Sequence, residues 1–204
     1  GHLPFAFEIS KFIKWNSENV IAMSAENKLE PTRVPAGNMS TALGPFASFP
    51  RTTYDFFPFA GIHRPVVLYT VPQTHIEDVT VVTTIDGKDG KVNVTVKLND
   101  SSTGQGTVTL HGGDKPIKAK LTFKNGAAQT KLTVPKARLW SDKDPYLYDL
   151  TINTEEDSYT LQIGIRTIEV KGQQILLNSK PVKLNGFGRH EDFIASGKGL
   201  NLPL

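Results

Sequence analysis

The sequence predicts an all-β chain, and three observations carry that prediction. The runs DVTVVTTI (78–85), KVNVTVKL (91–98) and IKAKLTF (117–123) alternate with period two, one face apolar and one polar, and are rich in Val, Thr and Ile, as half-buried strands are. Turn residues punctuate these runs. Asp86-Gly87 and Asp89-Gly90 separate the first two, Gly112-Gly113 follows a third, and Asn125-Gly126 joins 117–123 to 129–134 as a candidate hairpin. No window carries an apolar helical stripe of about 12 or more residues, and EISKFIKW (8–15) is the one short helical alternative.

Taken in order, residues 1–70 differ in texture from the rest of the chain. Strands are expected at 5–9 and 20–25, then a Pro- and Gly-containing connection runs from 30 to 51. Structureless loops beyond roughly 12–15 residues are uncommon in compact domains and tend to be functional, so this connection is a candidate site wall. After Pro135, strand-like runs recur at 147–153, 158–164, 167–170 and 174–177. About seven short strands thus fall between residues 76 and 170, at a spacing that suggests a two-sheet sandwich. Downstream, a further strand is expected at 182–185, followed by a polar stretch ending in GKGLNLPL (197–204). That tail is too short to bury a core of its own. It reads as the opening of something larger, and the abrupt first strand reads as the middle of something begun earlier.

Composition sets outer bounds. The 204 residues, 38% hydrophobic and 21% charged, suffice for a packed core in one or two domains. The longest apolar stretch, 60–71, is broken by His63, Arg64 and Pro65, which excludes a helical membrane span. The first residues lack the basic head and apolar middle of a secretory signal and read as a mature or truncated start. Cysteine is absent, so disulfides, thiolate metal sites and a cysteine nucleophile are impossible, and the redox compartment stays open. Lys and Arg number 23 against 20 Asp and Glu, and the net charge of +3 is spread along the chain, which argues against nucleic acid as a partner. Secreted and cytoplasmic locations are both compatible. Three sequons, at Asn38, Asn93 and Asn99, are possible N-glycosylation sites; Asn93 lies in a predicted strand, where only a solvent-facing asparagine carries a glycan.

Two clusters bear on chemistry. The first, Gly186-Phe187-Gly188-Arg189-His190-Glu191-Asp192, reads as a polar turn after a strand. Its G-x-G lacks a third glycine and a following helix, and His2, His63, His75 and His111 show no ligand spacing with His190, so neither a dinucleotide nor a metal site is implied. Retaining glycoside hydrolysis needs two carboxylates about 5–5.5 Å apart, whereas neighbours in an extended chain point to opposite faces. Neither Glu191 nor Asp192 is therefore assigned as acid or nucleophile. The second cluster, residues 54–66, places four aromatics beside Asp55 and a His63-Arg64 pair. It reads either as a core strand with satisfied polar ends or as the aromatic wall of a sugar site with one acid to accept hydroxyl hydrogen bonds.

Three strings, DFFPFAGIHRPVVLYTVP (55–72), ARLWSDKDPYLYDL (137–150) and GIRTIEVKGQQILLNSKPVKLNGFGRHED (164–192), resemble successive landmarks of glycoside hydrolase family 2, in the same order, and most closely its β-glucuronidases. Galactosidase relatives more often carry asparagine where Gly188 stands and phenylalanine where His63 stands. The resemblance implies a partial jelly roll over 1–72, an immunoglobulin-like β-sandwich over 73–166, and over 167–204 the first strand of a (β/α)8 barrel that is otherwise missing. It implies that Asp55, in D-F-F-x-x-A-G-I-H-R, hydrogen-bonds the sugar hydroxyls. It also implies that His190, in G-F-G-R-H-E-D, contacts the sugar from the end of the first barrel strand, a position that fits the placement of barrel sites at C-terminal strand ends. Arg189 and Glu191 would hold that strand end in place.

The implied activity is retaining hydrolysis of terminal β-D-glucuronides, with no cofactor, by a homo-oligomeric complete enzyme. The chain stops at Leu204, before the region where the family keeps its catalytic glutamates, so the segment by itself is expected to contain no catalytic residue and to be inert. The competing readings are a β-galactosidase-like hydrolase of the same family and a non-catalytic sandwich module that binds carbohydrate or protein.

Overall fold

A computed structural model of the chain describes residues 4–27, 32, 37–38, 51–52, 59–188 and 197. Every strand pair in it is antiparallel, and no helix occurs among the described residues. The chain divides into two units, one assembled from Gly1–Val67 and Phe187–Leu204, the other formed by Leu68–Gly186.

In the first unit, β1 (Gly37–Asn38) pairs with β2 (Arg51–Thr52), Gly37 opposite Thr52 and Asn38 opposite Arg51. The two ends of the long connection's last stretch therefore meet. Residues 5–9 and 20–25, expected as strands, hold none. Among the described residues no ladder runs alongside them, and alternation without a partner for the backbone N–H and C=O groups does not make a strand. Residues 8–15 are not helical either. A single turn, with the Phe12 N–H donating to the Ile9 carbonyl at 2.8 Å, is all that forms there.

The core of the Leu68–Gly186 unit is a β-sandwich. Its seven strands are β3 (Ile76–Asp86), β4 (Asp89–Leu98), β5 (Gly104–His111), β6 (Ile117–Phe123), β7 (Ala127–Val134), β8 (Tyr148–Asn153) and β9 (Ser158–Ile163). They form one sheet in the order β3-β4-β7 and a second in the order β6-β5-β8-β9. Strand β4 shows why. Val92, Val94, Val96 and Leu98 are buried, while the alternating Lys91, Asn93, Thr95 and Lys97 point to the other face. Opposite them, β5 supplies Val108 and Leu110, β6 Leu121 and Phe123, and β8 Tyr148, Leu150 and Ile152, all in one continuous cluster. Each fully buried Val, Leu, Ile or Phe contributes about 1.5–3 kcal/mol of transfer free energy, so the cluster is the main stabilising element of the unit.

The turn expected to close a hairpin is present, but the hairpin is not. Asn125 at φ 51 and Gly126 at φ 73 both take the left-handed conformation that a two-residue turn requires, and Lys124 and Ala127 exchange hydrogen bonds at 2.9 and 3.2 Å. Pairing between β6 and β7 ends at that single bridge. β7 finds eight register partners on β4, and β6 finds seven on β5, so the turn carries the chain from one sheet to the other. Gly126 is fixed by more than its φ angle. Its N–H donates to the Ser102 carbonyl at 2.9 Å, its own carbonyl accepts from the Leu98 N–H at 2.7 Å, and a Cβ built on it would overlap the Asp100 carbonyl.

Beyond β9, a three-stranded sheet forms from β10 (Ile168–Lys171), β11 (Gln174–Leu177) and β12 (Lys180–Pro181), in that order. The run at 167–170 is thus the first strand of this sheet rather than part of the sandwich, whose seventh and last strand is β9. Residues 182–185, also expected as a strand, are not one. The last contact of the pairing is the Val182 N–H donating to the Ile175 carbonyl at 3.0 Å, and no partner strand accompanies the chain beyond it among the described residues.

The connection from β7 to β8 is held by side chains. Arg138 donates to both carboxylate oxygens of Asp144, Nε to Oδ2 at 2.8 Å and Nη2 to Oδ1 at 2.7 Å, and its guanidinium lies 4.3 Å from the centroid of Tyr146. Tyr146 packs edge-on against Tyr148 at 4.9 Å and donates its hydroxyl to the Gly112 carbonyl. The Tyr148 hydroxyl accepts from the Arg138 backbone N–H at 2.8 Å. The hydrogen bonds from Arg138 hold the Asp144 carboxyl below its ordinary pKa, and burial pushes the Tyr148 phenol above its own.

Two outcomes are expected. Gly126→Ala should lower the unfolding free energy by more than about 2 kcal/mol in urea titration, since it adds a left-handed backbone cost to an overlap with backbone that cannot swing away. A folded-state carboxyl held below its ordinary value favours the fold above that value, and the contribution fades as pH falls through the folded pKa. The Arg138 Nε chemical shift should therefore stay constant as pH falls to the carboxylate's ordinary 3.8 and move only below it, when Asp144 is protonated, and Asp144→Asn should abolish that acid step.

Candidate functional site

Of the residues that the resemblance assigns to a sugar site, Asp55, Arg189, His190 and Glu191 lie outside the described residues, as does the side chain of Asn38. The segments flanking them are described. Downstream of Asp55, residues 59–67 form no strand and, with Phe59 at 48% exposure, are open to solvent. The described part of that aromatic cluster is therefore not a core strand. Gly61 takes φ +119, a conformation that glycine adopts without strain, and bends the chain two residues ahead of the exposed His63 and Arg64.

On the other flank, the chain leaves the β10–β12 sheet as an exposed segment without regular structure through Gly186 and Gly188, with Phe187 91% exposed. Residues 59–67 and the segment from Phe187 onward belong to the same unit, since Gly1–Val67 and Phe187–Leu204 cluster together. Within it Gly197 lies against Phe59. A Cβ on Gly197 would stand 3.1 Å from Cγ of the ring, closer than ordinary van der Waals contact. The string that carries Asp55 and the segment that follows His190 thus meet in one place.

The start of the third string is fixed by residues that sequence reasoning did not single out. Gly164 passes so close to Trp140 that a Cβ would meet the indole at 2.8 Å, and the Arg166 guanidinium covers the indole at 4.3 Å. The Trp140 backbone N–H donates to the Ile165 carbonyl at 2.9 Å. Asn178 closes the arrangement: its Nδ2 donates to the Trp140 carbonyl at 3.0 Å, its Oδ1 accepts from the Thr167 N–H at 3.0 Å, and its own N–H donates to the Thr167 carbonyl at 2.9 Å. Asn178 and Ser179 sit at φ 51 and 63, in the turn before β12. The Asn-Ser pair in ILLNSKP is a turn signal, but nothing in the sequence tells that Asn178 reaches back to Trp140.

The two described sequons differ. Asn93 stands on the outer face of β4, in the centre of its sheet, where Nδ2 approaches the Val82 carbonyl at 3.4 Å. Asn99 is a structural clasp: Oδ1 accepts from the His75 N–H at 2.9 Å and Nδ2 donates to the Gln73 carbonyl at 3.0 Å. Among the described residues no group of three His, Cys, Asp or Glu is placed to hold a metal ion.

Comparison with known proteins adds the family. The model of glycosyl hydrolases family 2 matches residues 74–166, which contain the whole sandwich. Across 100% of its length the chain is 36% identical to the β-glucuronidase of Sus scrofa and 34% identical to that of Homo sapiens, covering 34% of each. Among solved structures, a β-D-glucuronidase of Dictyoglomus thermophilum aligns at 33% identity and a TM-score of 0.75, covering 96% of this chain and 34% of that one. The β-glucuronidase of Lactobacillus rhamnosus aligns at 34% and 0.74, covering 96% and 33%. The chain spans about a third of the length of the curated relatives it matches. The family 2 glycosyl hydrolase model thus matches the sandwich, and the likeness to β-glucuronidases runs from end to end of the sequence.

Proposed function

We propose that this chain provides the substrate-positioning and scaffold part of a retaining β-glucuronidase that releases terminal β-D-glucuronic acid. Residues 1–72 are the latter part of a jelly-roll sugar-binding domain, 73–166 an immunoglobulin-like sandwich, and 167–204 the opening of a (β/α)8 catalytic barrel. The observation that carries the reading is that the two ends of the chain, one bearing Asp55 and the other His190, cluster in a single unit although the whole sandwich lies between them in sequence. A sugar ring held by both residues requires that arrangement.

In the complete polypeptide a glutamic acid protonates the departing glycosidic oxygen while a glutamate attacks the anomeric carbon, and water then resolves the covalent glycosyl-enzyme. This chemistry runs on two carboxylates and water and needs no cofactor. Asp55 accepts hydrogen bonds from the glycone hydroxyls and His190 contacts the ring, while Arg189 and Glu191 fix the strand end on which His190 stands. These four raise the rate by orientation, holding the anomeric carbon where the nucleophile can reach it. The complete enzyme is a homo-oligomer in this reading.

Turnover of p-nitrophenyl β-D-glucuronide tests the assignment: the complete polypeptide should release nitrophenol and the 204-residue chain alone should not. In the complete enzyme Asp55→Ala should lower kcat/KM by about 10- to 100-fold while the protein stays folded. Unchanged kinetics in that variant would remove Asp55 from the site.

A further inference from the structure

Gly197 takes φ +57, a left-handed backbone that side-chain-bearing residues rarely adopt, and the Cβ it lacks would lie 3.1 Å from Cγ, 3.2 Å from Cδ1 and 3.4 Å from Cδ2 of Phe59. Two independent features therefore disfavour a side chain at this position: the handedness of the backbone, and an aromatic ring close to where the side chain would go. Phe59 keeps 48% of its surface exposed, so full burial in a core does not account for its place against Gly197.

Along the chain, Phe59 follows Asp55 by four residues, and Gly197 follows His190 by seven. At no more than about 3.6 Å per residue, chain connectivity keeps Asp55 within roughly 14 Å of this contact and His190 within roughly 25 Å. Resting on the reading of Asp55 and His190 as sugar-holding residues, we infer that the Phe59–Gly197 contact is a clasp that sets how closely their two segments approach, which makes Phe59 and Gly197 positioning residues for the glycone. Neither carries a reacting group. Their effect is on geometry: a bare glycine lets the later segment lie against the ring, and any side chain there forces the two apart by a few tenths of an ångström or tilts the ring.

In the complete enzyme, Phe59→Leu and Gly197→Ala should each raise KM for p-nitrophenyl β-D-glucuronide about tenfold and leave kcat within about twofold. The double variant should lose less than the product of the two, because leucine makes room for the new methyl group. In the 204-residue chain, the Gly197 α-proton resonances, displaced by the ring current of Phe59, should move towards random-coil positions in Phe59→Leu. Wild-type KM in both single variants, or Gly197 resonances indifferent to Phe59→Leu, would overturn the clasp. The two readings fail separately: absent glucuronide turnover by the wild-type enzyme with the ring-current shift intact counts against the glycosidase assignment, whereas normal turnover without the shift counts against the clasp.

Discussion

The fold depends on the burial of one side of β4. Val92, Val94 and Val96 are each at most 1% exposed, and they sit on the central strand of a three-stranded sheet that presses on a four-stranded one. Because side chains alternate strictly along a strand, a slip of one residue would exchange these valines for Lys91, Asn93, Thr95 and Lys97. No partial slip is tolerable: several apolar side chains would enter water and two ammonium groups would enter the core. The register on both neighbours is set accordingly, with Val94 opposite Val81 on β3 and Thr130 on β7. The remaining core residues fill the space that this register leaves.

With the sheets fixed, the connections obey different rules. The β6–β7 turn is set by two left-handed residues and by the overlap that any Cβ at Gly126 would make with the Asp100 carbonyl. The β7–β8 connection is set by side chains, through the bidentate Arg138–Asp144 pair and the edge-on Tyr146–Tyr148 contact. That pair is solvent-exposed, with side chains 59% and 46% accessible, so its worth lies in geometry more than in energy. The same holds for Arg166 over Trp140, which fixes where the chain goes as it leaves β9. The family strings 137–150 and 164–192 are thus explained in their described parts by loop architecture: charged, aromatic and amide groups that choose one path for backbone which the hydrophobic core alone would leave undetermined.

The legible part of the sequence was the part governed by period two. Most of the sandwich strands announce themselves by alternation or β-branched runs, and the turn at Asn125-Gly126 by its dipeptide. The failures share one cause. Residues 5–9, 20–25 and 182–185 have strand-like composition, but a strand is a property of two segments, and a local pattern cannot reveal whether a partner lies alongside. The expected β6–β7 hairpin failed for the complementary reason: both strands exist, and each prefers a partner distant in sequence over its neighbour. Asp55 and His190 are singled out only by motif resemblance, since one carboxylate among aromatics is chemically ambiguous and one histidine beside a glycine pair is equally so.

The residues assigned to the sugar lie outside the sandwich, in the unit built from the two ends of the chain. There is a physical logic to that division. A sandwich interior is sealed: its polar groups are engaged in ladders and its apolar faces cover each other, so it offers no cavity with free hydrogen-bonding groups. A sugar ring needs convergent polar side chains that are not already engaged, and these are more readily supplied by loops and strand ends than by ladder positions. Loops bring conformational freedom, and the entropy of fixing them opposes tight positioning. Contacts such as Phe59 against Gly197 answer this requirement with little material, because an aromatic ring has only two side-chain torsions to fix and a glycine has none. Glycine's own backbone freedom is the cost of such a contact. The gain is a closeness of approach that no other residue permits.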